Sequence, residues 1–335
     1  MLQINPNPAS HNVHFDFDLK NNRHAFLQLF DMKGNMVKEF TDLQGIMGGL
    51  YARAEGLPAA VSDAIYEHYR PGTLEDSSPQ TLVGAILSVA DKLDSVVGAF
   101  AIGQVPTGSK DPLALRRQAL GLIKVLLDKQ ISLSLEKIFF KSFALFKRKV
   151  SRTPAETWQD VATFVKDRLR FIFREQGFRY DEINSVVEMC FDNPYDCLER
   201  LRAVASTRSS ADFESVAQGF KRIKNILAKP GLEISTELQP IDLALFESDE
   251  ERSLAAALRA IQPKVRNAVR ARTYGRAFEL MASLRPAIDL FFDKVLVMAE
   301  DPKVRANRLN LLRSLLQTFL KIADVSEIVP APKEA

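Results

Sequence analysis

Arginine and lysine are the residues whose spacing could do chemistry in this chain of 335 residues. Arg116 and Arg117 open one helical segment, with Lys110 in the loop before it. Lys221, Arg222 and Lys224 share one helix face, while Arg266, Arg270, Arg272 and Arg276 recur through the next helix and Arg305, Arg308 and Arg313 through the last. Phosphate binding needs repeated cations along a surface, and the forked donors of arginine suit it. A basic stripe on an amphipathic helix is more often a solvated face, so charge alone favours the plainer reading. The other reactive groups offer less. His68 is the one histidine inside the periodic region, and Asp91 and Asp94 stand one helix later. One imidazole and two carboxylates fall short of the convergent set a catalytic metal demands, so no metal site is expected. There is no GxSxG, no cysteine near a histidine and no glycine-rich phosphate loop after a strand. PTGSKD (106–111) has the composition of such a loop without its spacing.

Composition narrows the setting. The chain is 46% hydrophobic and 26% charged, with 15 Gly and 16 Pro, a globular profile that leans helical. Its length allows two domains with separate cores. No stretch approaches the ~20 uninterrupted apolar residues of a spanning helix, and the N-terminus lacks a basic region followed by an apolar run. Cys190 and Cys197 are too few for a disulfide framework and match neither a zinc knuckle nor a CxxC pair. A cytoplasmic protein is expected. A net charge of +3 does not announce nucleic acid, so the distribution of charge matters more than its sum.

The elements that must position these residues are helices. Apolar side chains recur three and four apart over 59–69, 80–100, 113–129, 157–176, 211–229, 254–283, 287–299 and 303–323. Asp111-Pro112 offers an N-cap and a first-turn proline to the third of these. Residues 206–210 (STRSS) read as a linker, and 230–253 as a Pro/Gly/acidic loop. Val13–Leu19 alternates like a short strand, within a segment 1–30 expected to be a poorly ordered leader.

Strings along the chain carry a resemblance. LQGIMG (43–48), EHY (67–69), ADKLD (90–94), PTGSKDPLALRR (106–117), FREQGFRYDEIN (173–184) and FKRIKNIL (220–227) occur in order. FFDKVLVMAED (291–301), RANRLNLL (305–312) and FLKIADVSEI (319–328) complete the series. Together, over about residues 33–328, they resemble the C-terminal half of the β-subunit of the bacterial two-subunit glycyl-tRNA synthetase. Two departures stand out. The family's β-subunit is considerably longer at its N-terminus, where this chain has about thirty unmatched residues. GGLY (48–51) also replaces the family's usual Gly-Arg-Tyr-Tyr.

The resemblance implies a mainly α protein. Residues 31–208 would form an HD-like helical domain that has lost its metal ligands, with Gln44-Gly45 where a true HD enzyme carries His-Asp and His68 and Asp91 as remnants. Residues 209–328 would form a DALR-type anticodon-binding bundle, and 329–335 a tail. The implied partners are tRNA, tRNA-Gly in particular, and a separate α-subunit, with no role for DNA or a membrane. That α-subunit carries the class II core of glycine–tRNA ligase and uses ATP and Mg. This chain would need no cofactor and would not catalyse alone. The RNA contacts expected are Lys110, Arg116, Arg117, Lys221, Arg222, Lys224, Arg266, Arg270, Arg305, Arg308 and Arg313. Two rival readings are an HD-type metal-dependent phosphohydrolase using His68, Asp91 and Asp94, and a scaffold that binds no RNA.

Overall fold

The computed structural model describes residues 45–107, 110–111, 113–146, 150, 152–208, 210–229 and 239–329, apart from the side chains at 211, 212 and 215. It also gives the backbone of three strands near the N-terminus. Gln44, Pro112, the 230–238 part of the expected loop and the tail from 330 lie outside the described residues. Residues 1–30, expected to lack order, carry those strands: β1 (Gln3–Pro6), β2 (Val13–Leu19) and β3 (Arg23–Gln28). They pair antiparallel in the order β1-β2-β3, with Phe15 opposite Leu27, and the alternation of 13–19 takes the extended form it suggests.

The remaining elements are helical, and the chain divides into two compact units, 1–172 with 192–195 and 173–191 with 196–335. The first unit holds α1 (Ile46–Ala54), α2 (Ala59–Glu67), α3 (Leu82–Ala101), α4 (Leu115–Asp128), α5 (Leu135–Leu145) and most of α6 (Pro154–Glu175). Its core gathers Val97 and Phe100 of α3, Ile123 and Leu126 of α4, Phe139 of α5 and Leu169 of α6, all essentially closed to solvent. Burying each such side chain contributes roughly 1.5–3 kcal/mol. The start of α3 is fixed by two carriers: the Thr81 hydroxyl accepts from the Gly84 amide at 3.0 Å, and the Glu67 carboxylate accepts from the Thr81 amide and hydroxyl. Helix α4 begins at Leu115, later than the Asp111-Pro112 signal suggests. Asp111 still caps it, accepting from the Leu115 amide at 2.8 Å and the Arg116 amide at 3.0 Å.

The second unit holds α7 (Tyr180–Cys190), nearly all of α8 (Pro194–Thr207), α9 (Ala211–Leu227), α10 (Asp249–Arg270), α11 (Tyr274–Ala282), α12 (Arg285–Lys294) and α13 (Pro302–Leu320). Phe220, Leu254, Val265, Phe291, Leu312, Leu315 and Phe319 fill its core. Three expectations change here. The helix expected over 254–283 is two helices, broken at Arg272 with φ 57°, while Pro263 sits inside α10 without ending it. The acidic run that read as loop opens α10 instead: Ser248 accepts from the Glu251 amide, and Glu251 accepts from the Ser248 and Glu247 amides. The stretch 206–210 is no slack linker, because Arg208 donates to Asp181, to Glu182 at 2.8 Å and to the Val329 carbonyl at 3.0 Å. These ties also join α7 and α8 to the second unit, so the division falls near 172 rather than at 208.

Candidate nucleic-acid interface

Helix α10 presents the clearest basic surface. At 100° per residue, Arg252, Arg259, Arg266 and Arg270 fall within about 40° of one another around the axis. The opposite side carries Leu254, Leu258, Ile261, Val265 and Ala268, all buried. From Arg252 to Phe278 the sequence contains no Asp or Glu but seven Lys and Arg. Arg252 is tied back to Asp249 and to the Phe246 carbonyl. Arg259, Arg266 and Arg270 are exposed, and among the described residues no carboxylate lies within ion-pair distance of them. Between them the helix shows Ala256, Ala260 and Pro263, short side chains that leave a phosphate backbone free to approach the guanidinium groups.

The other cations divide sharply. Lys221 is exposed, and Arg222 lies over the Phe292 ring at 4.2 Å. Two of the expected RNA contacts are engaged by carboxylates of the protein itself. Lys224 donates to Asp324 at 2.6 Å and to the Ser326 hydroxyl at 3.0 Å, fastening α9 to the 3-10 turn Val325–Glu327. Arg308 is 5% exposed, with Nε 2.7 Å from Glu251, Nη2 2.8 Å from Glu247 and Nη1 donating to the Leu296 carbonyl. Arg305 donates to the Ala299 carbonyl at 2.9 Å and is half-buried, as is Arg313. In the first unit Lys110 and Arg117 are exposed and Arg116 is half-buried.

His68 and its neighbours form a closed polar cluster. His68 is 1% exposed, and its Nδ1 lies 2.7 Å from the Ile65 carbonyl, to which it donates. Burial lowers its pKa, so the ring is neutral at pH 7. The Nζ of Lys92, also buried, donates to the carbonyls of His68, Tyr69 and Arg70 at 3.1, 3.1 and 3.3 Å and to the Ser88 hydroxyl at 3.0 Å. Burial pushes the Lys92 ammonium down to about 8, with Asp91 opposing, so it keeps its proton at neutral pH. Burial, reinforced by Asp91, lifts the Asp94 carboxyl to about 6. Among the described residues no three His, Cys, Asp or Glu side chains converge to hold a metal.

Comparison with known proteins decides the family. Residues 7–188, more than half the chain, match the family model described as glycyl-tRNA synthetase beta subunit, and residues 216–330 match the DALR anticodon binding domain. The chain belongs to the glycyl-tRNA synthetase beta subunit family. A glycine–tRNA ligase beta subunit of Acidobacterium capsulatum is 42% identical over 304 residues, covering 89% of this chain and 43% of that protein. One from Acidithiobacillus ferrooxidans is 41% identical over 308 residues, covering 92% and 44%. The chain thus spans less than half the length of the relatives it matches. The match starts at residue 7 and takes in most of the segment 1–30 that sequence reading set apart.

Within this glycyl-tRNA synthetase beta subunit family member, the basic stripe of α10 lies inside the DALR region. Arg259 was missed by sequence reading, although its spacing of seven and eleven residues to Arg266 and Arg270 marks the same face. Lys92 was missed too; it continues the inward stripe of Ala85, Val89 and Val96 on α3. The GGLY departure has a packing reason. A Cβ at Gly49 would stand 2.6 Å from the Tyr66 Cβ, so α1 and α2 meet too closely there for a side chain. No described helix is long and apolar enough to cross a membrane.

Proposed function

We propose that this chain is the tRNA-binding part of a glycine–tRNA ligase β-subunit, working beside a separate α-subunit that activates glycine with ATP and Mg. The observation that carries the reading is the acid-free stripe of Arg259, Arg266 and Arg270 on α10, within the region that matches the anticodon-binding domain. Three guanidinium groups with no carboxylate partner among the described residues, on one rigid helix, suit a run of phosphates. Bases of the anticodon loop then fall against neighbouring side chains. On this reading the partners are tRNA-Gly and the α-subunit, the setting is the cytoplasm, and the chain itself needs no cofactor. The Lys92 ammonium speaks against a metal-dependent phosphohydrolase, since it places a fixed positive charge among His68, Asp91 and the helix end that a cation would have to approach.

The test pairs two assays on the purified full chain. Equilibrium titration should show tight, salt-sensitive binding of tRNA-Gly, and glycine-dependent pyrophosphate exchange should be absent until the α-subunit is added. Exchange by the chain alone, or failure to bind tRNA-Gly at low salt, contradicts the proposal.

A further inference from the structure

The first unit gathers a second set of cations, apart from the α10 stripe. Ala119 and Leu122 of α4 and Val161 and Val165 of α6 line one small apolar gap of about 20 Å³, so the two helices face each other there. One turn beyond it stand Arg116 on α4 and Arg168 on α6, on the faces of Ala119 and Val165. The Arg168 guanidinium lies over the buried Phe164 ring at 5.0 Å and is itself half-buried. Among the described residues no carboxylate lies within ion-pair distance of it. Asp167 pairs with Arg170 at 3.3 Å, and Asp111 accepts from the Leu115 and Arg116 amides. Burial lowers the Arg168 pKa, Asp167 opposing; the nearby charge of Arg116 lowers it further, against a weaker pull from Asp111.

The backbone that delivers Arg116 is firmly fixed. Ala114, at the start of α4, takes a left-handed φ of 52°, a conformation that strains any residue with a Cβ and that clusters at functional sites. Lys110, exposed in the turn before it, exchanges backbone hydrogen bonds with Thr107 at 2.8 and 3.2 Å. Two like charges kept close on rigid helices repel until an anion joins them, and forked guanidinium groups match phosphate oxygens. Resting on the RNA-binding reading above, we propose that Arg116 and Arg168 grip phosphates of the bound RNA at a second place, outside the arm that meets α10. The two sites belong to different compact units and share no residue, so each adds its own phosphate contacts. Exposed Lys110 and Arg117 extend the positive surface past the pair, which suits a chain of phosphates better than one small anion.

The experiment uses the full chain and two RNAs, whole tRNA-Gly and its isolated anticodon-arm stem-loop, titrated by fluorescence anisotropy over a salt series. The slope of log K against log salt should be steeper for the whole tRNA than for the arm by about 1 to 2. Arg116→Gln/Arg168→Gln should bring the whole-tRNA slope down to that of the arm, while the arm binds as before. If that variant fails to fold, Arg116→Gln alone should flatten the whole-tRNA slope by about 1. Equal slopes for the two RNAs, a steep slope that survives substitution, or equal weakening of both RNAs overturns the second site and leaves the α10 reading standing. Unaltered tRNA binding with loss of α-subunit capture would assign the pair to a protein partner and overturn it as well. Inorganic phosphate at constant ionic strength that raises the melting temperature of the unchanged chain alone, with equal RNA slopes, would make this a site for a free anion instead. No binding of either RNA removes both readings.

Discussion

Arg308 and Glu251 hold one another inside the second unit, the Arg308 Nε standing 2.7 Å from a Glu251 oxygen that is closed to solvent. The same carboxylate caps α10 through the Ser248 and Glu247 amides, so one side chain joins the start of α10 to the middle of α13. Removing one partner of such a pair strands the other charge away from water. Arg308→Ala should therefore lower the stability of this unit by about 3–5 kcal/mol in urea denaturation. A loss within error of zero would mean that the pair is open to solvent.

Acid should undo the same unit. Burial opposes ionisation of Glu251, but the Arg308 hydrogen bonds and the amides outweigh it and hold the carboxyl below its ordinary 4.5. Burial likewise opposes ionisation of Asp181, and Arg208 with the Val329 amide holds it below 3.8. Carboxyls lowered in the folded state contribute stability above their unfolded pKa and lose it as pH falls through the folded value. Stability should thus be level above about pH 5 and drop steadily below pH 4.5, more gently in Arg308→Ala. Denaturation midpoints that stay flat down to pH 3 would contradict this.

Lys224→Ala should behave as a structural change of small size. Its side chain is 41% exposed and Asp324 19%, which limits the pair to about 0–1 kcal/mol. The variant should leave the slope of tRNA affinity against salt unaltered. A slope flatter by about one phosphate contact would restore Lys224 to the interface.

The Lys92 cluster makes its own forecast. Lys92→Met keeps the apolar stem but takes the ammonium donor from the carbonyls of His68, Tyr69 and Arg70 just past α2, Arg70 keeping the Ser88 hydroxyl, and should destabilise the first unit by about 2–3 kcal/mol. Gly121→Ala should act through the same place, because a Cβ there would stand 2.7 Å from Lys92 Cε and 2.9 Å from the Pro71 carbonyl. Overpacking of that kind takes about 1–3 kcal/mol. Thermal unfolding checks both; added Mn or Zn that rescues Lys92→Met would reveal a metal site instead.

What the sequence could disclose follows from distance along the chain. Helical periodicity is local, so α3, α4, α9 and α13 were legible within a few residues. The break at Arg272 was not, because neither glycine nor proline marks it and the left-handed turn there is carried by an arginine. The roles of the cations were the least legible part. Lys224 and Arg308 look from their own helices like Lys221 and Arg266, yet their carboxylate partners lie 100 and 57 residues away. Only folding shows which arginines are taken and which are left outward.

The most direct test of the account is the salt dependence of tRNA-Gly binding by Arg259→Ala/Arg266→Ala/Arg270→Ala beside the unchanged chain. All three residues are exposed on one face, so thermal unfolding should stay nearly where it was. The account predicts weaker binding and a slope of log K against log salt reduced in magnitude by about 3, one for each lost phosphate contact. Unaltered affinity and slope in a folded variant would show that this face is merely solvated, and would contradict the assignment of α10 as the RNA-binding surface.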